Sequence, residues 1–244
     1  MTVSQKIPDL YLSMPHECGY LDDRIATTLF VDPHVPLSRR QYTELVKTGF
    51  RRSGGLVYRP HCQGCNACVP VRIPVHRFAP SRAQRRNRKR NSDLIVQTVE
   101  GGYRESHFDL YCRYQSSRHR GGSMDVGDPL QYRDFLFSSD FETQVFEFRP
   151  REDPDRLIAV AIADRLDDGL SAVYTFFDPD EQHRGPGVYG ILWEIDEVRR
   201  LGLPYLYLGY WIGESPKMSY KTNYHPLQAL LHGEWRDFSF DANP

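Results

Sequence analysis

Residues 170–200 read LSAVYTFFDPDEQHRGPGVYGILWEIDEVRR, and this stretch decides the fold. Its first part, 170–177, is rich in β-branched and aromatic residues and reads as a strand. Its last part, 189–200, sets Ile191, Leu192, Ile195 and Val198 at helical spacing, with Arg199 and Arg200 in the final turn and Gly202 beyond. Upstream, 144–148 and 157–165 are two further strands, and Asp167-Asp168-Gly169 is a hairpin signal. Downstream, 205–210 is another strand. The order β-β-β-α-β describes an antiparallel meander, a helix and a parallel return, so the fold class is α/β (α+β) with a mixed sheet.

Working outward, 93–99 reads as a strand, 107–119 as a helix stopped by Gly121-Gly122, and 129–137 as a second short helix. The N-terminal third is rich in Cys, Pro, Gly and Arg and reads as short elements joined by ordered loops. A helix is expected over 38–47, with Ser38 as N-cap and Gly49 as stop. A strand is expected over 56–58, and 69–75, interrupted by Pro70 and Pro74, reads as an edge strand at best. The expected organisation is a smaller Cys-containing unit over 1–91 followed by an α/β unit over 92–244.

The 244 residues are 40% apolar and 13% aromatic, enough for a core and against wholesale disorder. No apolar run approaches the roughly 18–20 residues that span a bilayer. Pro8, Asp9, Pro15, His16 and Glu17 stand where a signal peptide needs an apolar stretch, so a cytoplasmic protein with no membrane partner is expected.

The net charge of −1 hides an asymmetry. Arg82, Arg85, Arg86, Arg88, Lys89 and Arg90 put six cations in nine residues with no acid among them. A solvated helix face would normally interleave acids for i,i+4 pairs, so the strip reads as a phosphate-backbone contact. Cys62, Cys65 and Cys68 form C-x-x-C-x-x-C, with Cys18 as a distant fourth thiol. This spacing suits zinc or an iron–sulfur cluster, or a reduced turn of free thiols. Gln182-His183-Arg184-Gly185-Pro186-Gly187 fits Q-x-x-G-x-G, the turn by which N-acetyltransferase-like (GNAT) folds aim helix amides at an anion. An ordinary Gly/Pro helix cap would look the same. The segment 205–224 interleaves tyrosines with Lys217 and Lys221, as suits ribose and base stacking or core packing. No G-x-S-x-G, P-loop, H-E-x-x-H or kinase signature is present. That fits an amine attacking an already activated acyl donor, a reaction that needs positioning more than a covalent intermediate.

Taken in order, Cys18-Gly19-Tyr20-Leu21, Gly49-Phe50-Arg51-Arg52-Ser53-Gly54, the cysteine triplet, Ser81-Arg82-Ala83-Gln84-Arg85-Arg86, Tyr114-Gln115-Ser116-Ser117-Arg118-His119, Leu208-Gly209-Tyr210-Trp211-Ile212 and Lys217-Met218-Ser219-Tyr220-Lys221 resemble the arginyl-tRNA–protein transferase family. The chain is most similar to the bacterial aspartate/glutamate leucyltransferase branch. Longer eukaryotic members carry C-G-Y-C where Leu21 here replaces the second Cys. The resemblance implies a GNAT-like C-terminal half and transfer of leucine from leucyl-tRNA to proteins beginning with Asp or Glu, marking them for N-end rule (N-degron) degradation. Under it, residues 82–90 bind tRNA backbone, and no cofactor is required because ester-to-amide exchange is downhill. Zinc or an iron–sulfur cluster at Cys18, Cys62, Cys65 and Cys68 remains an open expectation. Asp178 at a strand end is the expected general base, and Tyr207 or Tyr210 the oxyanion donor. Arg118, Arg120, Lys217 and Lys221 are candidates for the acceptor's carboxylate. The alternatives are a coenzyme-A-dependent N-acetyltransferase and a non-catalytic, metal-dependent RNA-binding module.

Overall fold

The computed structural model describes residues 8–118, 127–138 and 141–238. The N-terminal third builds short strands: β1 (Leu10–Leu12), β2 (His16–Glu17), β3 (Ile25–Ala26), β4 (Thr28–Val31), then α1 (Arg39–Lys47), β5 (Arg51–Ser53) and β6 (Leu56–Pro60). Four of these make an antiparallel sheet in the order β1-β4-β6-β5. Helix α1 starts where Ser38 and Gln41 form a reciprocal capping box, and it buries Tyr42, Thr43 and Val46 on this sheet's core side.

The chain continues through β7 (Val69–Pro74), α2 (Arg82–Arg90), β8 (Leu94–Glu100), α3 (Glu105–Arg118), α4 (Pro129–Phe137), β9 (Thr143–Pro150), β10 (Ala159–Arg165) and β11 (Gly169–Phe177). A 3-10 helix (Pro179–Arg184), α5 (Pro186–Arg200), β12 (Tyr205–Trp211), a second 3-10 helix (Pro216–Asn223), β13 (Gln228–Leu231) and β14 (Glu234–Asp237) complete the described fold. An eight-stranded mixed sheet runs β14-β13-β7-β12-β11-β10-β9-β8. Its meander β9-β10-β11 is antiparallel, and β12 returns parallel to β11, which is the β-β-β-α-β order read from the sequence. Strand β10 is buried along most of its length, and α5 covers the sheet with Ile191, Leu192, Ile195 and Val198. Helix α5 begins earlier than its apolar spacing indicates, because Gly185 turns in the left-handed region at φ 65° and Pro186 opens the first turn.

Strand β7 corrects an expectation. It lies inside the large sheet, between β12 and β13, and is not an edge. Its prolines are tolerated because β13 pairs only with Val71 and Arg72, leaving Pro70 and Pro74 outside that short ladder. The sheets therefore divide before residue 69: β7 and α2, both within 1–91, belong to the large sheet and its covering layer.

A fully buried ion pair joins the two sheets. Arg52 of β5 donates from Nε to Asp164 Oδ2 at 2.5 Å and from Nη2 to Oδ1 at 2.7 Å, with both side chains inaccessible. Tyr42 and Thr143 also donate to this carboxylate, at 3.0 and 2.8 Å, and Arg52 reaches the Leu136 carbonyl at 3.2 Å. Removing one partner strands a buried charge. Asp164→Ala is expected to destabilise the protein by about 3–5 kcal/mol, read by urea unfolding; a loss below about 1 kcal/mol would mean that the pair is not the joint.

Candidate active site

The parallel pair β11/β12 is short. It is in register only over Gly169–Ser171 against Tyr205–Tyr207, and beyond that the strands part. A bulge lies on the outer side of each strand. Val173 is extra between the β10 partners of Ala172 and Tyr174, and Leu208 is extra between the β7 partners of Tyr207 and Gly209. Bulges bend strands and break ladders, so together they open a cleft.

Arg51 fills the base of that cleft. Residues 51 and 52 alternate along β5, so while Arg52 turns to Asp164, Arg51 crosses to the opposite side. Its Nη2 donates to the Ala172 carbonyl at 2.7 Å and Nη1 to the Leu208 carbonyl at 3.3 Å, the first residues past the end of pairing on each strand. No ion pair of Arg51 with a carboxylate occurs among the described residues. Gly209 makes room for it. At φ +73° it sits in the left-handed region, and a Cβ there would fall on the Arg51 guanidinium.

Next along β12, the Tyr210 carbonyl accepts a hydrogen bond from Lys221 Nζ. Lys221 is 3% exposed, and burial, reinforced by the Arg51 charge, brings its ammonium down to about 7. Glu194 of α5 is wholly buried, neither oxygen has a hydrogen-bond partner among the described residues, and burial pushes its carboxyl up to about 8. The Tyr224 hydroxyl is likewise buried and unpartnered, raised by burial with Tyr220 and Glu194 adding to it. Tyr220 is 42% exposed as a residue, and its hydroxyl faces this same group of residues. Burial raises that hydroxyl, which also feels Arg51, Glu194, Tyr114 and Arg118. These side chains, from β5, α3, α5 and the second 3-10 helix, thus share one neighbourhood at the cleft.

The sequence-derived candidates divide accordingly. Arg118 joins the cluster from the end of α3, its guanidinium 6.0 Å from the Tyr114 ring centroid. Lys221 joins it, but as a buried amine whose charged form is disfavoured. Lys217 is exposed on the same 3-10 helix, and Arg120 lies outside the described residues. Tyr210 lines the cleft with its backbone, while its hydroxyl donates to the Gly49 carbonyl at 2.8 Å and is raised by burial. Tyr207 sits where the strands are still paired, donating to Asp168 at 2.9 Å and accepting from Arg72 at 3.2 Å. Asp178 does not join the cluster. It lies six residues past Ala172, roughly 20 Å along the strand, accepts from Arg113 Nη1 at 3.1 Å and caps the following 3-10 helix. Sequence reading passed over Arg51 as a site residue and missed Glu194 altogether. The signal for Arg51 was its place in the Gly49–Gly54 segment; Glu194 gave none.

Helix α2 supplies the outer face. Gln84, Asn87 and Asn91 are buried anchors: Asn87 Nδ2 donates to the Arg184 and Gly185 carbonyls at 2.9 and 3.0 Å, and Gln84 reaches the Asn223 carbonyl at 3.0 Å. Arg88 turns inward to Asp196 at 2.8 Å and so leaves the strip. Arg82, Arg85, Arg86, Lys89 and Arg90 are exposed and form no ion pair among the described residues. The Q-x-x-G-x-G turn is therefore the dock of α2.

Cys18, Cys62 and Cys65 lie near enough to Cys68 that, after burial, their charges help push its thiol up to about 12. Cation binding would relieve that repulsion. Yet no group of three or more His, Cys, Asp or Glu side chains among the described residues meets in a metal-holding arrangement. As placed, the thiols do not form a coordination shell. All five cysteines are free of disulfides.

A cleft between parted strands, lined by ionisable groups without ion-pair partners among the described residues and flanked by a cationic helix, fits a group-transfer enzyme. Two family profiles match the chain: the N terminus of arginine-tRNA-protein transferase over residues 16–86 and its C terminus over residues 106–231. The chain belongs to the arginine-tRNA-protein transferase family. It is similar to proteins named aspartate/glutamate leucyltransferase from Hahella chejuensis (51% identity, 92% of this chain and 95% of that protein) and Thiobacillus denitrificans (49%, 93% and 93%). A third, from Nitrosococcus oceani, is 51% identical over 93% of this chain and 94% of its own length.

Glu194 gives a test of the cluster's electrostatics. Its carboxyl is held up to about 8 in the fold against 4.5 ordinarily, so the unfolded chain gives up the proton first and stability falls as pH rises from about 5 to 8. Glu194→Gln removes this penalty. The variant should gain on the wild type by on the order of 4 kcal/mol across that interval, seen as a growing difference in Tm. A difference constant with pH would mean that the carboxyl ionises freely.

Proposed function

We propose that this protein transfers leucine from leucyl-tRNA to the α-amine of proteins that begin with Asp or Glu, creating an N-terminus read by N-end rule degradation. The observation that carries this reading is identity of about half the residues, over more than nine-tenths of the chain, to proteins named for that activity. The cleft and α2 are its physical counterpart.

In this reading the five outward cations of α2 hold the tRNA backbone, and the 3′ aminoacyl ester enters the β11/β12 cleft. The donor arrives activated, so aminolysis of the ester to the more stable amide needs neither ATP nor coenzyme A. Arg118 is the cation for the acceptor's carboxylate, since it stands at the cluster's edge against the Tyr114 ring and forms no ion pair among the described residues. Lys217 lies on the exposed approach. No helix among the described residues is long and apolar enough to cross a membrane. Its substrates, charged tRNA and newly exposed protein N-termini, put its work in the cytoplasm.

The test is transfer of labelled amino acid from leucyl-tRNA and arginyl-tRNA to peptides starting with Asp, Glu or Ala, with acetyl-CoA as control donor. Leucine is expected on Asp and Glu peptides alone. Arginine transfer would keep the family and overturn the leucine reading. Arg118→Ala should leave tRNA affinity unchanged while erasing the preference of Asp over Ala peptides; equal loss of tRNA binding would remove Arg118 from that role. Replacing Arg85, Arg86 and Lys89 together by Gln should weaken tRNA binding and flatten the slope of log K against log salt by about 2–3. An unchanged slope would move the tRNA contact off α2.

A further inference from the structure

We propose that Lys221 is the group that takes the proton from the acceptor's α-ammonium, a role that rests on the transferase reading above. The acceptor arrives as R–NH3+ and must become R–NH2 before it can attack. The proton passes to the neutral Lys221 amine, the C–N bond forms at the ester carbonyl, and the C–O bond to the ribose 3′ oxygen breaks. The second amine proton leaves with that oxygen, giving amide, tRNA 3′-OH and protonated Lys221, which returns its proton to water.

The geometry selects Lys221 on three grounds. It holds the Tyr210 carbonyl two residues along β12 from the Leu208 carbonyl that Arg51 holds, so it stands beside the base of the cleft. It lacks a carboxylate partner among the described residues, so nothing there fixes its proton. Tyr220, its exposed neighbour, sets its ring 5.8 Å from Nζ and gives an approaching ammonium an aromatic face at the rim. Of the charged and titratable groups here, Arg51 from β5 acts on it directly, the Tyr210 carbonyl of β12 accepts its hydrogen bond and Tyr220 lies beside it, while Glu194 from α5, Tyr224 from its own segment, and Tyr114 and Arg118 from α3 surround Tyr220. Arg51 opposes a second positive charge beside it. Glu194 does not substitute, because burial keeps it protonated at neutral pH. Lys221 at about 7 is divided between its two forms there, as a proton acceptor at working pH requires.

Asp178, the base expected from sequence, is far along β11 and bound to Arg113. A carboxylate clamp at Lys221 would instead demand a permanent charge that its surroundings disfavour. Reading the acidic side chain is left to Arg118, and handling the amine to Lys221.

The experiment uses the full-length chain, Lys221→Met and Lys221→Arg, with leucyl-tRNA and two Asp acceptors. One acceptor is an ordinary peptide; the other has its α-amine replaced by an aminooxy group, which is unprotonated at neutral pH. Thermal unfolding and tRNA affinity establish that each variant is folded. Both variants should lose about 100-fold or more in kcat for the ordinary peptide at pH 7, with acceptor KM little changed. The deficit should shrink at pH 9 and fall to a few-fold with the aminooxy peptide. Deficits equal for both acceptors, or independent of pH, overturn the proposal and leave Lys221 a positioning residue. If Lys221→Met does not fold, the same two readouts on Lys221→Arg decide. Absence of transfer by the wild type to either acceptor overturns the transferase reading and this role with it.

Discussion

Two consecutive arginines on a three-residue strand hold this molecule together. Arg52 turns into the interior and forms a forked pair with Asp164; Arg51 turns the other way and bridges two strands of the large sheet. Alternation along β5 is the whole device: one side chain locks the small sheet to the meander, and the next is thereby delivered to the cleft. Moving β5 by one residue would exchange the two partners and destroy both contacts. The buried pair is justified by this positioning, since an apolar pair of equal volume would stabilise the core at least as well. The glycine opposite, at position 209, completes the constraint, for any side chain there would evict the Arg51 guanidinium.

The cleft itself runs against stability. Two bulges give up ladder hydrogen bonds, and Arg51 and Lys221 satisfy the exposed carbonyls in place of a neighbouring strand. Cations serving where backbone amides would ordinarily serve leave a positive, desolvated pocket. Glu194, protonated by its burial, cannot neutralise that pocket. An arrangement that keeps Lys221 half neutral and Glu194 without a hydrogen-bond partner among the described residues is expensive in folding free energy, and such cost concentrates where chemistry needs perturbed groups.

The meander, the covering helix and the parallel return were legible because periodicity and turn residues carry them locally. Strand β7 was not, since its prolines argue against an interior strand unless one knows how short its neighbour β13 is. The same limit governs the site. Lys221 reads from sequence as a cation for a carboxylate, and only its 3% exposure beside Arg51 turns it into an amine. Glu194 sits in an amphipathic helix where an acid looks solvated. Asp178 before Pro179 fits both a base and a turn, and the Arg113 contact favours the turn. The choice of leucine has no residue signature that we can name, and came through family resemblance alone.

Helix α2 would connect donor binding to the proposed chemistry. It has no apolar stripe; three buried amides anchor it where Leu or Ile would be expected, leaving the cations outward. Those amides do not bind at random places. Asn87 holds the carbonyls that open α5, the helix carrying Glu194, and Gln84 holds Asn223, the last residue of the 3-10 helix carrying Lys221. The element proposed to meet the tRNA on one face therefore braces both buried ionisable groups with the other. Amide anchors suit this task better than apolar ones, because a hydrogen bond to a defined carbonyl fixes rotation and register, whereas apolar burial fixes only proximity. A polyanion laid across α2 would relieve its self-repulsion and so hold these anchors in place at the moment when the aminoacyl end reaches Lys221.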